Sequence, residues 1–376
     1  MRAYVLPDER LRKLAGRFVW LDIDTEKPRN AAFVERFPID AWPSILIVNP
    51  EDERVLVRWA GTATAEQIER LALDGERALR AGKASRAEEA LARADRLLGE
   101  RRHAEAAAAF QEALAAGGPR FAARERASEA AVQSLGLAGA ATECAATAQK
   151  LLPSLGGASA ARVAAQGISC ALEQEEVAAR RSAVAALEPR ARGLLDDRRV
   201  LADDRSWLYD VLSSARSEAG DDAGAKALAR RWLAFLEREA ARAKTPLARS
   251  AFDGQRLQAA LRSGEPARAL PALLASERDL PHEYVPPTNL GVLYLALDRP
   301  AEALAAADRA LALAEGPRRI RVLVLRAEAQ AKAGDGAGAR ATLERAVQEG
   351  EALPEAARPR GYLRKAKKLL GELRAS

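Results

Sequence analysis

Beyond about residue 80, small residues recur at intervals close to the length of two paired helices. Ala269, Ala303 and Ala339 lie 34 and 36 residues apart, and glycine-containing turns separate the helical stretches. Ala225 stands 44 residues before Ala269, which predicts longer helices or an extra loop in that interval. One helical hairpin cannot bury its apolar face alone, so successive hairpins stack and share a continuous core. The sequence therefore predicts an α-solenoid over residues 77–376.

The clearest repeat begins at Asn289–Tyr294, where a leucine and a tyrosine four residues apart share one helix face. Small residues follow at Ala303 and Ala310, where paired helices must approach closely. This pattern resembles the tetratricopeptide repeat (TPR) family, whose units of about 34 residues carry Leu-Gly, Tyr and spaced alanines. Pro287 and Ala307 depart from the aromatic residues that the family often has. The resemblance implies a TPR-like fold and a protein-binding role.

In TPR proteins the first helix of each repeat lines the concave face, which implies where a partner would bind. Asn289 occupies a position that often contacts peptide in the family. Arg321, Glu328 and Lys332 are expected on the next first helix, facing the same way. These four residues are the candidates for a peptide-binding groove. The alternative is that they are ordinary solvated side chains, since a fold alone does not specify a site.

The repeat region is not equally regular along its length. Residues 120–200 fit the repeat pattern poorly but still have helical periodicity. The final helix, about Arg360–Leu373, carries apolar residues on one side and four basic residues largely on the other. We expect it to be a capping helix for the solenoid. A helix lying on a membrane surface is the alternative interpretation.

The first 76 residues have a different texture, with several prolines and β-branched runs. We expect a buried strand at Phe18–Asp24, a short helix at Asn30–Arg36, and two strands at Ser44–Val48 and Arg54–Trp59. A capping box at Thr64–Gln67 then opens a helix. The predicted order is strand, helix, hairpin, helix, which is that of a small α/β domain.

This order resembles the second half of a thioredoxin fold. Leu21-Asp22-Ile23-Asp24 is similar to the family's strand that ends in Asp, and Trp59-Ala60-Gly61 to the end of its last strand. Pro43, just before a strand, matches the proline that is cis in the family. The resemblance implies that Trp42 and Pro43 belong to a substrate groove. An unrelated small α/β cap is the alternative.

The Cys-x-x-Cys motif of thioredoxins is missing, because no cysteine precedes Cys144. Thiol–disulfide exchange needs a low-pKa thiolate and a second, resolving thiol. We therefore expect an incomplete, redox-inactive thioredoxin-like domain over residues 1–76. The alternative is a thiol–disulfide oxidoreductase whose motif lies upstream of an internal Met1, because Met1–Leu6 resembles the end of the active-site helix. As written, the chain is expected in the cytoplasm. With an upstream signal peptide it is expected in the periplasm or another extracytoplasmic compartment.

Composition narrows the remaining function classes. The chain has 59 basic and 53 acidic residues, interspersed, with a net charge of +6, so no nucleic-acid partner is expected. No apolar run reaches the roughly 18 residues of a membrane span. Cys144 and Cys170 are expected to pack as small hydrophobic residues, with a redox role as the alternative. His103 and His282 lie far apart in the sequence. We expect no metal, no cofactor and no catalytic residue in this sequence. The sequence thus favours a protein–protein interaction scaffold that binds a protein or peptide in the solenoid groove.

Overall fold

A computed structural model describes residues 5–39, 42–80 and 84–375 of the 376. The chain divides into two compact units. The first unit comprises Met1–Val19 with Ile39–Trp232, and the second comprises Trp20–Pro38 with Leu233–Ser376. Each unit therefore combines an N-terminal segment with a run of helices.

The described residues are mainly α-helical. The helices are α1 (Ala31–Arg36), α2 (Ala65–Arg80), α3 (Arg86–Gly99), α4 (His103–Gly117), α5 (Arg124–Leu137), α6 (Ala141–Leu151), α7 (Gly157–Leu172), α8 (Val177–Leu194), α9 (Ala202–Glu218), α10 (Asp222–Arg242), α11 (Pro246–Ser250), α12 (Asp253–Ser263), α13 (Leu270–Asp279), α14 (Val285–Ala296), α15 (Pro300–Leu313), α16 (Pro317–Lys332), α17 (Gly336–Glu351) and α18 (Arg360–Ala375). Two strands complete the structure, β1 (Ser44–Val48) and β2 (Val55–Ala60).

Helices pair in series in both units, as the repeat pattern predicts. In the first unit α3 packs on α4, α4 on α5, α6 on α7, and α7 on both α8 and α9. In the second unit α14 packs on α15, α15 on α16, and α16 on α17. The prediction of helices over residues 120–200 is confirmed by α5 to α8. The chain is a TPR-like α-solenoid with a small sheet near its N-terminus.

Small residues allow the helices of the second unit to approach closely. Ala303, Ala307 and Ala310 are fully buried in α15. A Cβ added to Gly291 in α14 would lie 2.8 Å from Leu325 Cδ2 of α16, closer than two carbons can pack. The residues that carry the TPR resemblance therefore lie at the helix contacts, where bulk is excluded.

The predicted hairpin is confirmed. β1 and β2 pair antiparallel, with Ser44 opposite Ala60, and Asn49 N–H donates to the Arg54 carbonyl at the turn. The Trp42-Pro43 peptide bond is cis, as the resemblance to thioredoxin implies for Pro43. Within the described residues this sheet has two strands.

The helix after the hairpin begins as predicted. Gln67 N–H donates to Thr64 Oγ1 at 3.0 Å, and Thr64 N–H donates to Gln67 Oε1 at 2.9 Å. These two bonds form the expected capping box. The apolar face of α2 packs on the hairpin and on the 3₁₀ helix Glu9–Leu14. The first unit thereby has a separate apolar cluster at its N-terminal end, which includes Val5, Leu11, Leu14, Val57, Trp59, Ile68 and Leu71.

The predicted strand at Phe18–Asp24 is wrong. These residues have no regular secondary structure, and Val19 and Leu21 are 88% and 74% exposed. A strand needs a hydrogen-bonded neighbour, and the described residues supply none beside this segment. The neighbouring prediction of a short helix at Asn30–Arg36 is confirmed by α1. Residues 1–4, which include most of the segment that resembles an active-site helix, lie outside the described residues, as do residues 81–83 near the predicted boundary between the domains.

The two cysteines do not pack as separate small hydrophobic residues. A disulfide joins Cys144 of α6 to Cys170 of α7, with the Cα atoms 6.0 Å apart, and both residues are fully buried. The expectation failed because the repeat pattern is weak over residues 120–200. It gave no register that would place the two side chains opposite each other.

The final helix packs as the predicted cap. Leu363, Ala366 and Leu370 of α18 are buried against α16 and α17. On its polar side Lys367 Nζ lies 2.7 Å from Glu351 Oε1. Among the described residues, no helix combines the length and the apolar character that crossing a membrane requires.

Candidate protein-interaction surfaces

The four groove candidates lie on two adjacent helices of the second unit. Asn289 is on α14, and Arg321, Glu328 and Lys332 are on α16, which packs directly on α14. The structure thus places them on first helices of consecutive hairpins, where the resemblance expects them. Their side chains differ in how far they are already engaged within the chain.

Asn289 is buried, with 4% of its surface exposed. Its amide nitrogen is buried and has no hydrogen-bond acceptor among the described residues. More than nine in ten buried polar groups of native proteins are paired, so such a donor needs an explanation. An acceptor from a bound partner is one group that would satisfy it.

The three candidates on α16 are not equivalent. Glu328 Oε1 lies 2.7 Å from Lys365 Nζ of α18. Lys332 Nζ lies 3.1 Å from Asp298 Oδ1 and 3.3 Å from the Leu295 carbonyl. Arg321 forms no ion pair with the residues that the structure describes. Arg321 is therefore the candidate whose charge is left for a partner.

The candidates in the N-terminal part lie before β1 in the first unit. Trp42 is 66% exposed, and the Pro43 carbonyl accepts a hydrogen bond of 2.7 Å from Gly61 N–H. This bond fixes the start of β1 against the end of β2. The groove role of both residues stays a prediction.

A buried ionic cluster that the sequence analysis did not single out joins the end of β2 to three solenoid helices. Arg162 of α7 is 8% exposed. Its Nε donates to Asp204 Oδ1 of α9 at 3.0 Å, and its Nη1 donates to Glu129 Oε2 of α5 at 3.2 Å. Nη2 donates to Thr62 Oγ1 at 3.1 Å, and the guanidinium lies 5.0 Å from the centroid of the Trp59 ring. Arg162 therefore holds the segment after β2 on α5, α7 and α9.

Two carboxylates share this one guanidinium. Burial raises the pKa of Glu129 and of Asp204, and the charge of Arg162 opposes that rise at both groups. Asp204 Oδ2 is buried without a hydrogen-bond partner among the described residues. Gln67 Nε2 donates to Glu129 Oε1 at 3.3 Å, and the charge of Asp203 adds to the rise in the pKa of Asp204. Arg162 is therefore the group that favours the charged form of both carboxylates.

A second buried ion pair reinforces this attachment. Arg126 Nη1 of α5 lies 2.9 Å from both carboxylate oxygens of Asp95 in α3, and its Nε lies 3.4 Å from Asp74 Oδ2 of α2. Burial raises the pKa of Asp95 despite the adjacent arginine. The N-terminal β-hairpin and α2 therefore pack on the first helices of the helical hairpins in the first unit.

In the second unit an N-terminal segment is likewise held by an arginine. Arg318, in the first turn of α16, donates Nη2 to the two carboxylate oxygens of Asp24 at 2.8 and 2.7 Å. Its Nε donates to Glu26 Oε2 at 2.5 Å. The guanidinium lies 5.2 Å from the centroid of the Tyr284 ring. An acidic stretch of the chain is therefore bound at the start of α16.

The remaining side-chain groups and cavities of the described residues do not bring together the side chains of a metal or catalytic site. No group of three or more His, Cys, Asp or Glu side chains is arranged to hold a metal ion within them. A surface depression of about 480 Å³ between α3 and α4 is lined by three basic and three acidic side chains, Arg93, Arg96, Glu100, Arg102, Glu105 and Glu112. A smaller cavity of about 230 Å³ lies among α10 to α13 and is also lined by opposite charges, including Arg249 and Asp279.

Both arginine sites have a signal in the sequence. Arg162 is the only charged residue in α7, an otherwise apolar and small-residue helix. A lone charge at such a position is costly to bury unless it is paired. Arg318 opens the run Arg318-Arg319-Ile320-Arg321, which concentrates three positive charges in four residues. These two patterns, rather than the TPR resemblance, point to the ionic contacts.

No protein-family model matches the chain, and no curated protein matches its sequence. Among solved structures, a tetratricopeptide repeat protein from Parabacteroides merdae is 12% identical with a TM-score of 0.48, and the match covers 76% of this chain and 98% of that chain. The TPR2AB domain of yeast Sti1, solved as a pHSP90 complex, is 13% identical with a TM-score of 0.30 and the same coverage of 76% and 98%. Both TM-scores are below 0.5, so the solenoid assignment rests on the helix pairing in this chain.

Proposed function

We propose that the chain is a non-enzymatic protein–protein interaction scaffold whose second unit binds a protein or peptide on the face formed by α14 and α16. The observation that carries the proposal is the buried amide nitrogen of Asn289, which lacks an acceptor among the described residues. A partner carbonyl or carboxylate would supply that acceptor once rotation of the Asn289 side chain brings the buried nitrogen to the surface. Arg321, without an ion pair among the same residues, would supply charge beside it. Neither nucleic acid nor a membrane is part of this proposal.

We further infer that residues 1–76 are an incomplete thioredoxin-like domain without redox activity, followed by a repeat domain over residues 77–376. The order β1, β2, α2 and the separate apolar cluster beneath α2 support a distinct N-terminal part, whose last helix α2 runs across the proposed boundary. Exchange chemistry needs an accessible thiolate. Cys144 and Cys170 are paired and fully buried, so neither offers one while the disulfide is intact.

The same disulfide favours the extracytoplasmic alternative for localisation. Disulfides persist in oxidising compartments and are rare in the reducing cytosol. We therefore propose that the protein matures in the periplasm or another oxidising compartment. Alkylation of denatured protein from its native cells, without reductant, would leave both cysteines unmodified if this is correct. Alkylation of both would place the protein in a reducing compartment.

The binding proposal is tested by selecting ligands for the purified chain from a displayed library of random peptides. We expect enriched peptides whose affinity falls about tenfold, roughly 1.4 kcal/mol, in Asn289→Ala and in Arg321→Gln. Gln348→Ala, at an exposed position of the second helix α17, is the matched control and should bind as wild type. If no peptide is enriched, or if both groove variants bind like wild type, the proposal fails.

A further inference from the structure

The acidic segment held by Arg318 is attached by charge rather than by burial. None of the residues 20–33 is buried, and the apolar anchors Val34 and Phe37 come only after it. Arg318, Asp24 and Glu26 keep 22%, 25% and 38% of their side-chain surface in solvent. Partly exposed ion pairs contribute little stability and weaken with salt. The segment can therefore leave its site without exposing an apolar core.

The site nevertheless fits closely around the backbone turn that carries the two acidic side chains, in which Lys27 N–H donates to the Asp24 carbonyl at 3.2 Å. A Cβ added to Gly316 would lie 2.5 Å from the Glu26 carbonyl oxygen, and Gly316 has a φ of +52°. Asp24 shapes the segment, because its Oδ1 accepts from Glu26 N–H at 3.1 Å and its carbonyl accepts from Asn30 Nδ2 at 2.7 Å. Asp24 and Glu26, which are two residues apart, therefore both accept hydrogen bonds from the Arg318 guanidinium. Asp24 accepts from Nη2 and Glu26 accepts from Nε.

The positive charge extends beyond what this segment neutralises. Arg319 pairs with Glu349 at 3.0 Å. Arg321, one helical turn after Arg318, forms no ion pair among the described residues. Both Arg318 and Arg321 act on Tyr284, whose pKa is raised mainly by its burial and is lowered in part by these charges. A longer or more acidic segment would be able to pair with Arg321 as well as with Arg318.

We propose that residues 22–26 are an intramolecular occupant of an acidic-peptide site at the start of α16, and that an acidic segment of a partner, folded into the same turn, binds there by displacing them. This inference rests on the proposed function, because it names the partner chemistry and a regulatory contact for the same helix. The ligand has two carboxylates spaced as Asp24 and Glu26 are. Its affinity is set by competition with the tethered segment.

The test measures binding of a fluorescein-labelled peptide with the sequence of residues 20–30 by fluorescence anisotropy. We expect weak binding to wild type and at least about tenfold tighter binding to Asp24→Asn/Glu26→Gln, in which the site is freed. Adding Arg318→Met to that variant should abolish binding. Glu35→Gln, an exposed change in α1, is the matched control and should resemble wild type.

Hydrogen exchange provides a test without any substitution. The same peptide, added in excess to wild type, should accelerate amide exchange in residues 22–30, whereas a peptide with Asn and Gln at the two acidic positions should not. Equal affinity of wild type and the freed variant overturns the proposal. Tighter binding of the freed variant to phosphatidylserine vesicles or to a single-stranded oligonucleotide than to the peptide also overturns it.

The outcomes separate this inference from the proposed function. If the library selects peptides that depend on Asn289 but the acidic peptide never binds, only the occupant model is wrong. If the acidic peptide binds the freed variant through Arg318 but no selected peptide depends on Asn289, the site at α16 stands. The broader groove proposal then falls.

Discussion

Replacing Arg162 by Met would leave two buried carboxylates without their common cation. Removing one partner of a buried ion pair typically costs about 3–5 kcal/mol, because the remaining charge stays desolvated. Here Glu129 and Asp204 both lose Arg162, so we expect a loss near the upper end of that range. Thr62 and the Trp59 ring lose a contact as well. The loss should appear first as opening of β2 and α2 from the solenoid helices.

The pH dependence of that loss tests the electrostatic cause. The ordinary pKa values are 4.5 for Glu129 and 3.8 for Asp204, and burial raises both in the folded chain. A carboxyl group with a raised folded pKa binds protons more tightly when folded. Its stabilising effect is therefore complete below the unfolded pKa and is lost as pH rises through the folded pKa. Without Arg162 both folded pKa values rise further, so the variant's deficit should shrink as the pH is lowered from 8 to 5.

The assay is urea unfolding by circular dichroism at both pH values, with hydrogen exchange of β2 and α2 as the local readout. Arg181→Met removes an exposed arginine of α8 and should cost no more than about 0.5 kcal/mol at either pH. Adding Glu129→Gln and Asp204→Asn to Arg162→Met should restore part of the stability, since uncharged groups are cheaper to bury. A deficit that is equal at pH 8 and pH 5, or is not reduced by neutralising the acids, would refute the reasoning.

Three further predictions concern the packing of a buried leucine, the contribution of the disulfide, and the local stability of an exposed segment. Leu290→Ala should lower the free energy of unfolding by about 2–5 kcal/mol because Leu290 is fully buried, while Leu313→Ala on the surface should have little effect in the same urea titration. Cys144→Ala with Cys170→Ala should cost about 2–4 kcal/mol, and dithiothreitol should destabilise wild type but not this variant. Amides of residues 18–22 should exchange orders of magnitude faster than those of α7 in native-state hydrogen exchange, because they lie in an irregular, exposed segment.

The solenoid was predictable because its determinants are local and repeated. Small residues such as Ala303 recur with the helix-pair period, and each is needed where two helices touch. The hairpin was predictable for a similar reason, since β1 and β2 are adjacent in sequence and share one turn. The capping box at Thr64 is a contact over three residues. In each case the residues that decide the structure lie close together in the chain.

The failures concern contacts between distant residues. Phe18–Asp24 has the composition of a buried strand, but a strand also needs a neighbour, and composition does not supply one. The disulfide depends on the register of α6 against α7, which a degenerate repeat does not specify. Asn289 lies on α14, the expected first helix of its hairpin, yet its burial depends on how closely the neighbouring helices approach. Residue type and spacing do not determine that distance.

The contact between Asp24 and Arg318 also bears on how the protein is made. The two residues are separated by 294 positions, so Asp24 leaves the ribosome long before Arg318 exists. At about 5–20 residues per second, the delay is roughly 15 to 60 s. Throughout that interval Asp24 and Glu26 have no Arg318 guanidinium to pair with. Nascent chains of this protein should therefore present the acidic stretch unbound until α16 has been synthesised.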